Sequence, residues 1–352
     1  MPAEPLPWDV AWSRALFGPE GFYRRPEGPG GHFRTACHAA PAELAGALVA
    51  LARSTGCSAV VDVGAGRGEL LSALARALEA DPAGPDLRLH GADVVDRPAD
   101  LPPRIGWTRT TPPVTGEPGA TAWGLTSVLD GALVVAWELL DTVPCRIVVP
   151  GPDGPTSPLV DPRTGAQVPG PAPSDEDLQW CRRWWPVPAA DGDDPHDTCV
   201  EVGRERDRAW AALVREAGAG GAALLLAVDY GHTAADRPPG GTLAGYRHGR
   251  RVPPVPDGSC DVTAHVAFDA VAAAGAQAGA TGTLLTDQRR ALRALGVTGR
   301  PEIGGRPGAR SGGGAVAGLA RAGREAELLD PGGLGGFVWL LQTVGGHPLP
   351  GL

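Results

Sequence analysis

The sequence of 352 residues contains no lysine, so every basic side chain other than histidine is an arginine. A phosphate-binding loop of the nucleotide-hydrolysing type needs a lysine followed by serine or threonine, and this class is therefore excluded. Six cysteines stand at positions 37, 57, 145, 181, 199 and 260, with no Cys-x-x-Cys pair and no repeated spacing. We predict reduced thiols, with neither a disulfide framework nor a metal site.

The chain also lacks a long apolar run and a basic leader. No apolar stretch reaches membrane-spanning length, and residues 1–12 carry prolines and acids in place of a targeting signal. The net charge of −9 argues against a nucleic-acid-binding surface. With 43% apolar and 20% charged residues, the composition is that of a globular protein without a membrane span. We expect it in the cytoplasm.

The chain is organised around a β-branched run that leads into three alternate glycines. The run reads Val60-Val61-Asp62-Val63-Gly64-Ala65-Gly66-Arg67-Gly68-Glu69. It predicts a buried strand, a bare loop and a helix. A dinucleotide fingerprint would place its third glycine where Glu69 stands, so a dehydrogenase is disfavoured. Asp-x-Gly-x-Gly-x-Gly is similar instead to the first motif of class I S-adenosylmethionine-dependent methyltransferases, with a ligand-free glycine turn as the alternative.

Acidic side chains follow two further predicted strands. Asp93 ends the strand at residues 87–92, where a carboxylate could accept both ribose hydroxyls of an adenosine. Glu138 and Asp141 follow the buried strand at residues 132–137, and on a starting helical turn they would face the same side. Ligands bind at such strand ends in open α/β sheets. The alternatives are a solvated acid at Asp93, and helix-terminal acids that complement the macrodipole at Glu138 and Asp141.

Turn-forming residues divide the rest of the chain. We predict an N-terminal loop and helix extension over residues 1–55, a Rossmann-like domain over 56–149 and 201–352, and an insertion over 150–200. The insertion is expected to act as a lid or recognition element, with a hairpin between residues 146–149 and 164–168. Asp261 or Thr263 is expected to cap a helix that ends near Gly275. Residues 299–318 are rich in glycine and arginine and are expected to form a loop.

Taken together, these stretches resemble the MidA-type family, which includes the mitochondrial complex I assembly methyltransferases that modify arginine. The likeness spans nearly the whole chain. The matching motifs are Gly21-Phe22-Tyr23, Gly31-His32-Phe33-Arg34-Thr35-Ala36, Asp62 to Gly68, Glu138, Asp141 and Pro144, Asp229-Tyr230-Gly231, Gly241-Thr242-Leu243 with Tyr246 and His248, Asp261 to Val266, and Gly335-Gly336-Phe337. The resemblance implies an α/β fold with a mostly parallel class I methyltransferase sheet, its last strand antiparallel, and helices on both faces.

The resemblance also implies S-adenosyl-L-methionine as cofactor and a protein arginine as methyl acceptor. The cofactor-binding residues would be Asp62, Gly64, Gly66, Gly68, Asp93 and Glu138. The catalytic residues would be Glu138, Asp141 and His265. The substrate-binding residues would be Tyr23, Phe33, Thr35, Asp229, Tyr230 and His248. No metal is expected.

Some positions depart from the family pattern. His32 stands where Asp is usual, Cys37 where Pro is usual, Trp137 replaces Asn, Ala244 replaces Arg and Ala267 replaces an acid. These losses motivate an alternative, a cofactor-binding assembly factor that no longer catalyses. A small-molecule O- or N-methyltransferase is a further alternative, disfavoured by an insertion that would suit a peptide-sized acceptor. The expected partner is a protein or peptide, and a homodimer is left open.

Overall fold

The computed structural model describes residues 4–25, 35–81, 84, 86–110, 122–188, 198–300 and 312–352. The helices in these ranges are α1 (Trp8–Phe17), α2 (Ala36–Ala39), α3 (Pro41–Ser54), α4 (Glu69–Ala80), α5 (Asp175–Trp184), α6 (Arg204–Gly220), α7 (Phe268–Gln277), α8 (Gln288–Ala294) and α9 (Gly312–Leu328). The strands are β1 (Leu6–Pro7), β2 (Ala59–Val63), β3 (Arg88–Asp93), β4 (Gly106–Arg109), β5 (Ala132–Trp137), β6 (Arg146–Val148), β7 (Leu159–Val160), β8 (Gln167–Val168), β9 (Val200–Val202), β10 (Leu224–Asp229), β11 (Gly231–His232), β12 (Ala244–Arg247), β13 (Arg250–Val252), β14 (Asp261–Thr263), β15 (Val266–Ala267), β16 (Gly282–Asp287) and β17 (Val338–Thr343).

Seven strands form the main sheet, in the order β16-β17-β10-β5-β2-β3-β4. The strands β10, β5, β2, β3 and β4 pair in parallel. The last strand of the chain, β17, runs antiparallel to both of its neighbours. This confirms the predicted fold, a mostly parallel α/β sheet whose last strand is antiparallel.

Both faces of this sheet are covered by helices, because its central strands are apolar on both sides. Val60 on β2 packs into one apolar layer together with residues of α3 and α4. Val61 and Val63 pack into the opposite layer, with residues of α6 and α7. Burial on both faces is what a central parallel strand requires, and it explains why three of the five residues of β2 are valines.

The glycine loop turns the chain from β2 into α4. Gly64, Gly66 and Gly68 have φ angles of 79°, 57° and 75°, in the left-handed region that glycine enters without steric cost. Gly68 is the N-cap of α4. Asp81 is the C-cap at the other end of the helix. The strand-loop-helix unit therefore lies where the sequence placed it.

The acidic turn after β5 differs from the expectation. We predicted that Glu138 and Asp141 would begin a helix, but residues 138–145 form a non-helical turn. Glu138 has a φ of 50°, which a helix cannot accommodate. The helix-terminal alternative for these acids is therefore wrong, and both side chains owe their direction to the turn.

Two further local predictions, a helix cap and a hairpin, differ from the structure. Residues 261–263 do not cap a helix; they form β14, which pairs with β12, and the next helix, α7, begins at Phe268 with Ala267 as its N-cap. The hairpin predicted between residues 146–149 and 164–168 is wrong as well. β6 pairs with β9, and β8 pairs with β7. β6 thus takes its partner from a distant part of the chain, whereas β8 pairs with the strand just before it.

The inserted segment packs beside α6. Ser174 caps α5, its hydroxyl accepting a hydrogen bond from the Asp177 amide at 3.1 Å. Trp180 donates its indole N–H to Asp207 of α6 at 2.7 Å. Within the parts of the chain that the structure describes, no helix is both long enough and apolar enough to span a bilayer.

Candidate active site

A cavity of about 490 Å³ opens at the carboxyl ends of β2, β3 and β5. Its lining residues are Phe17, Tyr23, Thr35, Cys37, His38, Asp62, Gly64, Ala65, Gly66, Arg67, Glu69, Leu70, Asp93, Val94, Val95, Thr110, Trp123, Trp137, Glu138, Leu139, Asp141, Thr142, Tyr230, Tyr246, Gly249, Asp261 and Thr263. The N-terminal loop, the glycine loop, the acidic turn and the β12–β14 sheet thus meet around one space. The described part of the 150–200 insertion contributes no lining residue.

The three loop glycines serve different purposes. A Cβ on Gly64 would lie 2.7 Å from Leu139, and one on Gly68 would lie 2.5 Å from Leu101. Both positions are therefore closed by the protein's own packing. Among the residues that the structure describes, a Cβ on Gly66 would meet only the Glu69 carboxylate, at 3.5 Å. Gly66 is the glycine that leaves open space beside the cavity.

Asp93 is held rigidly beside this loop. Its two carboxylate oxygens accept backbone N–H groups from Gly66 at 2.8 Å and from Val95 at 3.2 Å. Burial raises the pKa of Asp93, and these two amides oppose that effect. Each oxygen has further lone pairs, so the carboxylate can accept additional donors from the cavity.

Glu138 occupies a strained position at the end of β5. A left-handed backbone is uncommon for a residue with a Cβ, and such strain concentrates at functional sites. Its amide donates to the Val228 carbonyl at 2.8 Å. Its carboxylate accepts the Ala36 N–H at 3.1 Å, which ties the acidic turn to the N-terminal loop.

Asp141 lies deeper and is only partly satisfied. One carboxylate oxygen accepts the Thr263 hydroxyl at 2.7 Å. The other, Oδ1, is buried without a hydrogen-bond partner among the residues that the structure describes. Below it, the Asp229 carboxylate accepts the Asp141 amide at 3.0 Å. A buried acceptor without a donor is costly, so Oδ1 marks a place where a ligand N–H would bind.

Arg206 supports the turn from beneath. Its guanidinium is 1% exposed and donates to the carbonyls of Asp141, Val143 and His265 at 2.7–3.0 Å. These bonds fix the acidic turn against the segment that follows β14. Because the donors all go to carbonyls, the charge of Arg206 lies near the carboxylates without pairing directly with any of them.

Ionisation of the acids is unfavourable in this setting. Burial, followed by the charge of Asp141, raises the pKa of Glu138 to about 8. Burial raises the pKa of Asp62 to about 8, with Asp93 and Glu69 as further causes. Burial, then the charge of Asp141, raises the pKa values of Asp229 and Asp261 well above the usual range. A cationic ligand would relieve this repulsion.

Most of the residues predicted from the sequence line the cavity. They are Tyr23, Thr35, Asp62, Gly64, Gly66, Asp93, Glu138, Asp141 and Tyr230. Gly68 packs against Leu101 and does not line the cavity. Asp229 lies beneath the cavity wall, and only 1% of its surface is exposed. His265 stacks on Tyr230 at 5.8 Å, outside the lining, and His248 lies at the tip of the β12–β13 hairpin. Phe33 lies outside the described residues.

Three further residues, Asp261, Thr263 and Tyr246, line the cavity although they were not predicted as site residues from the sequence. Asp261 accepts the Tyr23 hydroxyl at 2.9 Å, and Thr263 binds Asp141. The sequence does contain a signal for Asp261 and Thr263, because residues two apart on a strand face the same side. Tyr246 was noted only as part of a motif; it joins the site because β12 pairs with β14.

Charge sets the chemistry that this cavity can perform. Among the described lining residues, six are acids, namely Asp62, Glu69, Asp93, Glu138, Asp141 and Asp261, and one is an arginine, Arg67. An ammonium, sulfonium or guanidinium group would be attracted, whereas a phosphate would be repelled. Carboxylates near the solvent-shielded end can also accept a proton from a bound N–H or O–H group.

Comparison with known proteins agrees with this picture. The model of the family described as "Putative S-adenosyl-L-methionine-dependent methyltransferase" matches residues 44–285. A candidate methyl transferase from Burkholderia thailandensis, solved with S-adenosyl-homocysteine, is 25% identical, with a TM-score of 0.72 over 96% of this chain and 88% of its own. An uncharacterised protein of that organism, solved in its native form, is also 25% identical, with a TM-score of 0.70 over 96% and 87%. No curated protein sequence matches the chain.

Proposed function

Because the chain belongs to this family of S-adenosyl-L-methionine-dependent methyltransferases, we propose that it methylates a guanidinium nitrogen of arginine in a protein acceptor. The observation that carries the proposal is the partly unsatisfied acid cluster at one end of the cavity. Glu138, Asp141 and Asp261 line that end, and no ion pair joins any of them to a described basic side chain.

The opposite end of the cavity fits the cofactor. The open side of Gly66 gives a ligand access to bare backbone. Asp93 is preset to accept the two ribose hydroxyls, since backbone amides already fix its orientation. Apolar surface from Leu70, Val94 and Trp123 lines the same end and would cover an adenine ring. The cofactor supplies a methyl group activated by a positively charged sulfur.

At the acceptor end, we assign two roles to the carboxylates. Glu138 and Asp141 would hold the guanidinium fork through charge-assisted hydrogen bonds, with the free Oδ1 of Asp141 taking one N–H. As the new N–C bond forms, the electron pair of the S–C bond returns to sulfur. The displaced N–H proton would pass to one of the two carboxylates, which act as a general base. The rest of the rate acceleration comes from aligning the acceptor nitrogen with the methyl carbon and from excluding water from the cavity.

The proposal is tested by following the methyl group. Purified protein is incubated with cofactor labelled in its methyl group and with a cell extract, and the products are separated by size. We expect the label in protein, released as methylated arginine on complete hydrolysis. Label in small metabolites would identify a small-molecule methyltransferase instead. Cofactor binding by calorimetry without any transfer would identify an assembly factor that does not catalyse.

The rate of transfer should also increase with pH. The pKa of Glu138 is raised to about 8, so below that pH the group is protonated and can neither bind a guanidinium bidentately nor accept its proton. We expect kcat/KM to rise through about pH 8 and level off above it, because this ratio reports ionisation in the free enzyme. A flat profile between about pH 6 and 9, with the fold intact by circular dichroism, would contradict the assigned base.

We also propose the cytoplasm as the compartment. All six cysteines are free thiols, and four of them are buried. Such usage is typical of proteins made in a reducing environment.

A further inference from the structure

The sheet β13-β12-β14 forms one wall of the cavity and continues beyond it to the surface. Asp261 on β14 lies opposite Tyr246 on β12, and Tyr246 lies opposite Arg251 on β13. Paired residues project from the same face of a sheet. These side chains therefore form a row that leads outward from the cavity: an acid inside, an exposed aromatic ring at the mouth and a basic residue at the outer edge.

The hairpin that carries the outer part of this row, residues 244–252, is called here the basic hairpin. It contains Arg247, Arg250 and Arg251 and no acid, although the whole chain has a net charge of −9. All three arginines are exposed. None of them has an ion pair or side-chain hydrogen bond with another described residue. Loss of hydration, the charge of Arg206 and then the charge of Arg251 lower the pKa of His265.

The geometry of the basic hairpin places like charges close together, at an energetic cost. Arg247 lies directly opposite Arg250, and like charges in a cross-strand pair destabilise a hairpin. The two turn residues, His248 and Gly249, have φ angles of 50° and 74°, which define a tight type I′ turn. This turn brings the arginines together at the tip, beside the part of the cavity wall that Gly249 contributes.

We propose that the basic hairpin binds an acidic segment of the acceptor protein, next to the arginine that enters the cavity. This inference rests on the proposed function. Adjacent strands lie about 4.8 Å apart, so Asp261 and Arg251 are separated by roughly 10 Å across the sheet. An extended chain covers about 3.4 Å per residue. The preferred acceptor therefore carries its acidic residues about three positions from the methylated arginine.

Short labelled peptides test this proposal. One has a central arginine with glutamates three positions away on both sides, the second has glutamines at those sites, and the third keeps the glutamates but has glutamine at the centre. Binding is measured by fluorescence anisotropy at low and high salt, and transfer with labelled cofactor. We expect the first peptide to bind on the order of tenfold more tightly than the second, and the difference to shrink at high salt.

The protein variants make the test specific. The triple variant Arg247→Gln, Arg250→Gln, Arg251→Gln should lose the preference for acidic flanks. The matched control Arg289→Gln, Arg290→Gln, Arg293→Gln changes the same charge on α8, beside the far edge strand of the main sheet, and should keep it. Because the first triple variant removes the like-charged pair Arg247 and Arg250, its melting temperature should not fall below that of the wild type. Equal binding of the first two peptides to the wild type, or equal loss in both triple variants, would overturn the inference.

The third peptide separates the two proposals, because it cannot be methylated at its centre. If no arginine peptide is methylated but this peptide still binds through the basic hairpin, the proposed function fails and the hairpin assignment stands. If arginine peptides are methylated regardless of their flanks, the proposed function stands and the hairpin assignment fails. A single-stranded oligonucleotide of equal length that binds the basic hairpin more tightly than the acidic peptide would also overturn it.

Discussion

Asp141→Asn is expected to lower kcat by a factor of about 10² to 10⁴ while cofactor binding is retained, and Glu138→Gln to do the same. Each change removes the negative charge and the base but keeps the shape of the side chain. Glutamine at position 138 can still accept the Ala36 N–H, and asparagine at 141 can still accept the Thr263 hydroxyl. Turnover is measured with labelled cofactor, and cofactor affinity by calorimetry.

The matched control is Glu79→Gln, which neutralises an exposed carboxylate at the end of α4. It should leave both quantities unchanged. Loss of fold is not expected in the active-site variants, because the pKa of Glu138 is raised in the folded protein. Because the pKa of Glu138 is raised from 4.5 to about 8 on folding, this group lowers the stability progressively as the pH rises between these two values, and the neutral amide removes that cost. Unchanged turnover in both active-site variants would remove the two acids from the acceptor site.

The strands that carry the cofactor end of the site could be predicted from local pattern. The strands β2 and β5 are buried on both faces. Residues 132–137 therefore read as an uninterrupted apolar run, and Val60, Val61 and Val63 as a valine-rich run interrupted only by Asp62. The glycines mark the turn, and Asp93 marks the tip of the next strand. Parallel strands bring such ends to one edge of the sheet, so the convergence of these groups follows from topology.

The acceptor end could not be predicted in the same way. Asp261 and Thr263 form a strand only because β12 pairs with β14, and this contact joins residues that propensity does not connect. The turn at Glu138 is another case. Its left-handed backbone is held by the Val228 carbonyl and by Ala36, both distant in sequence. Local preference favoured a helix there, and tertiary contacts overrode it.

The second large effect is expected at Gly66. Because a Cβ there would occupy open space beside the cavity, Gly66→Ala should weaken cofactor binding roughly 10- to 100-fold, equivalent to about 1–3 kcal/mol of overpacking. The left-handed backbone itself costs an alanine about 1 kcal/mol. Calorimetric titration with S-adenosyl-L-methionine measures the affinity, and thermal unfolding measures the stability.

Two other glycines isolate the cause of this effect. Gly56 has a φ of 68°, and no other described residue has an atom within 4 Å of its Cβ position apart from its chain neighbours. Gly56→Ala therefore carries the same backbone cost away from the cavity and should bind cofactor normally. Gly68→Ala would instead clash with Leu101, and should lower the melting temperature more than either. If Gly66→Ala binds cofactor as well as Gly56→Ala does, the cofactor does not lie against the bare backbone of this loop, and the acids at the far end would need another explanation.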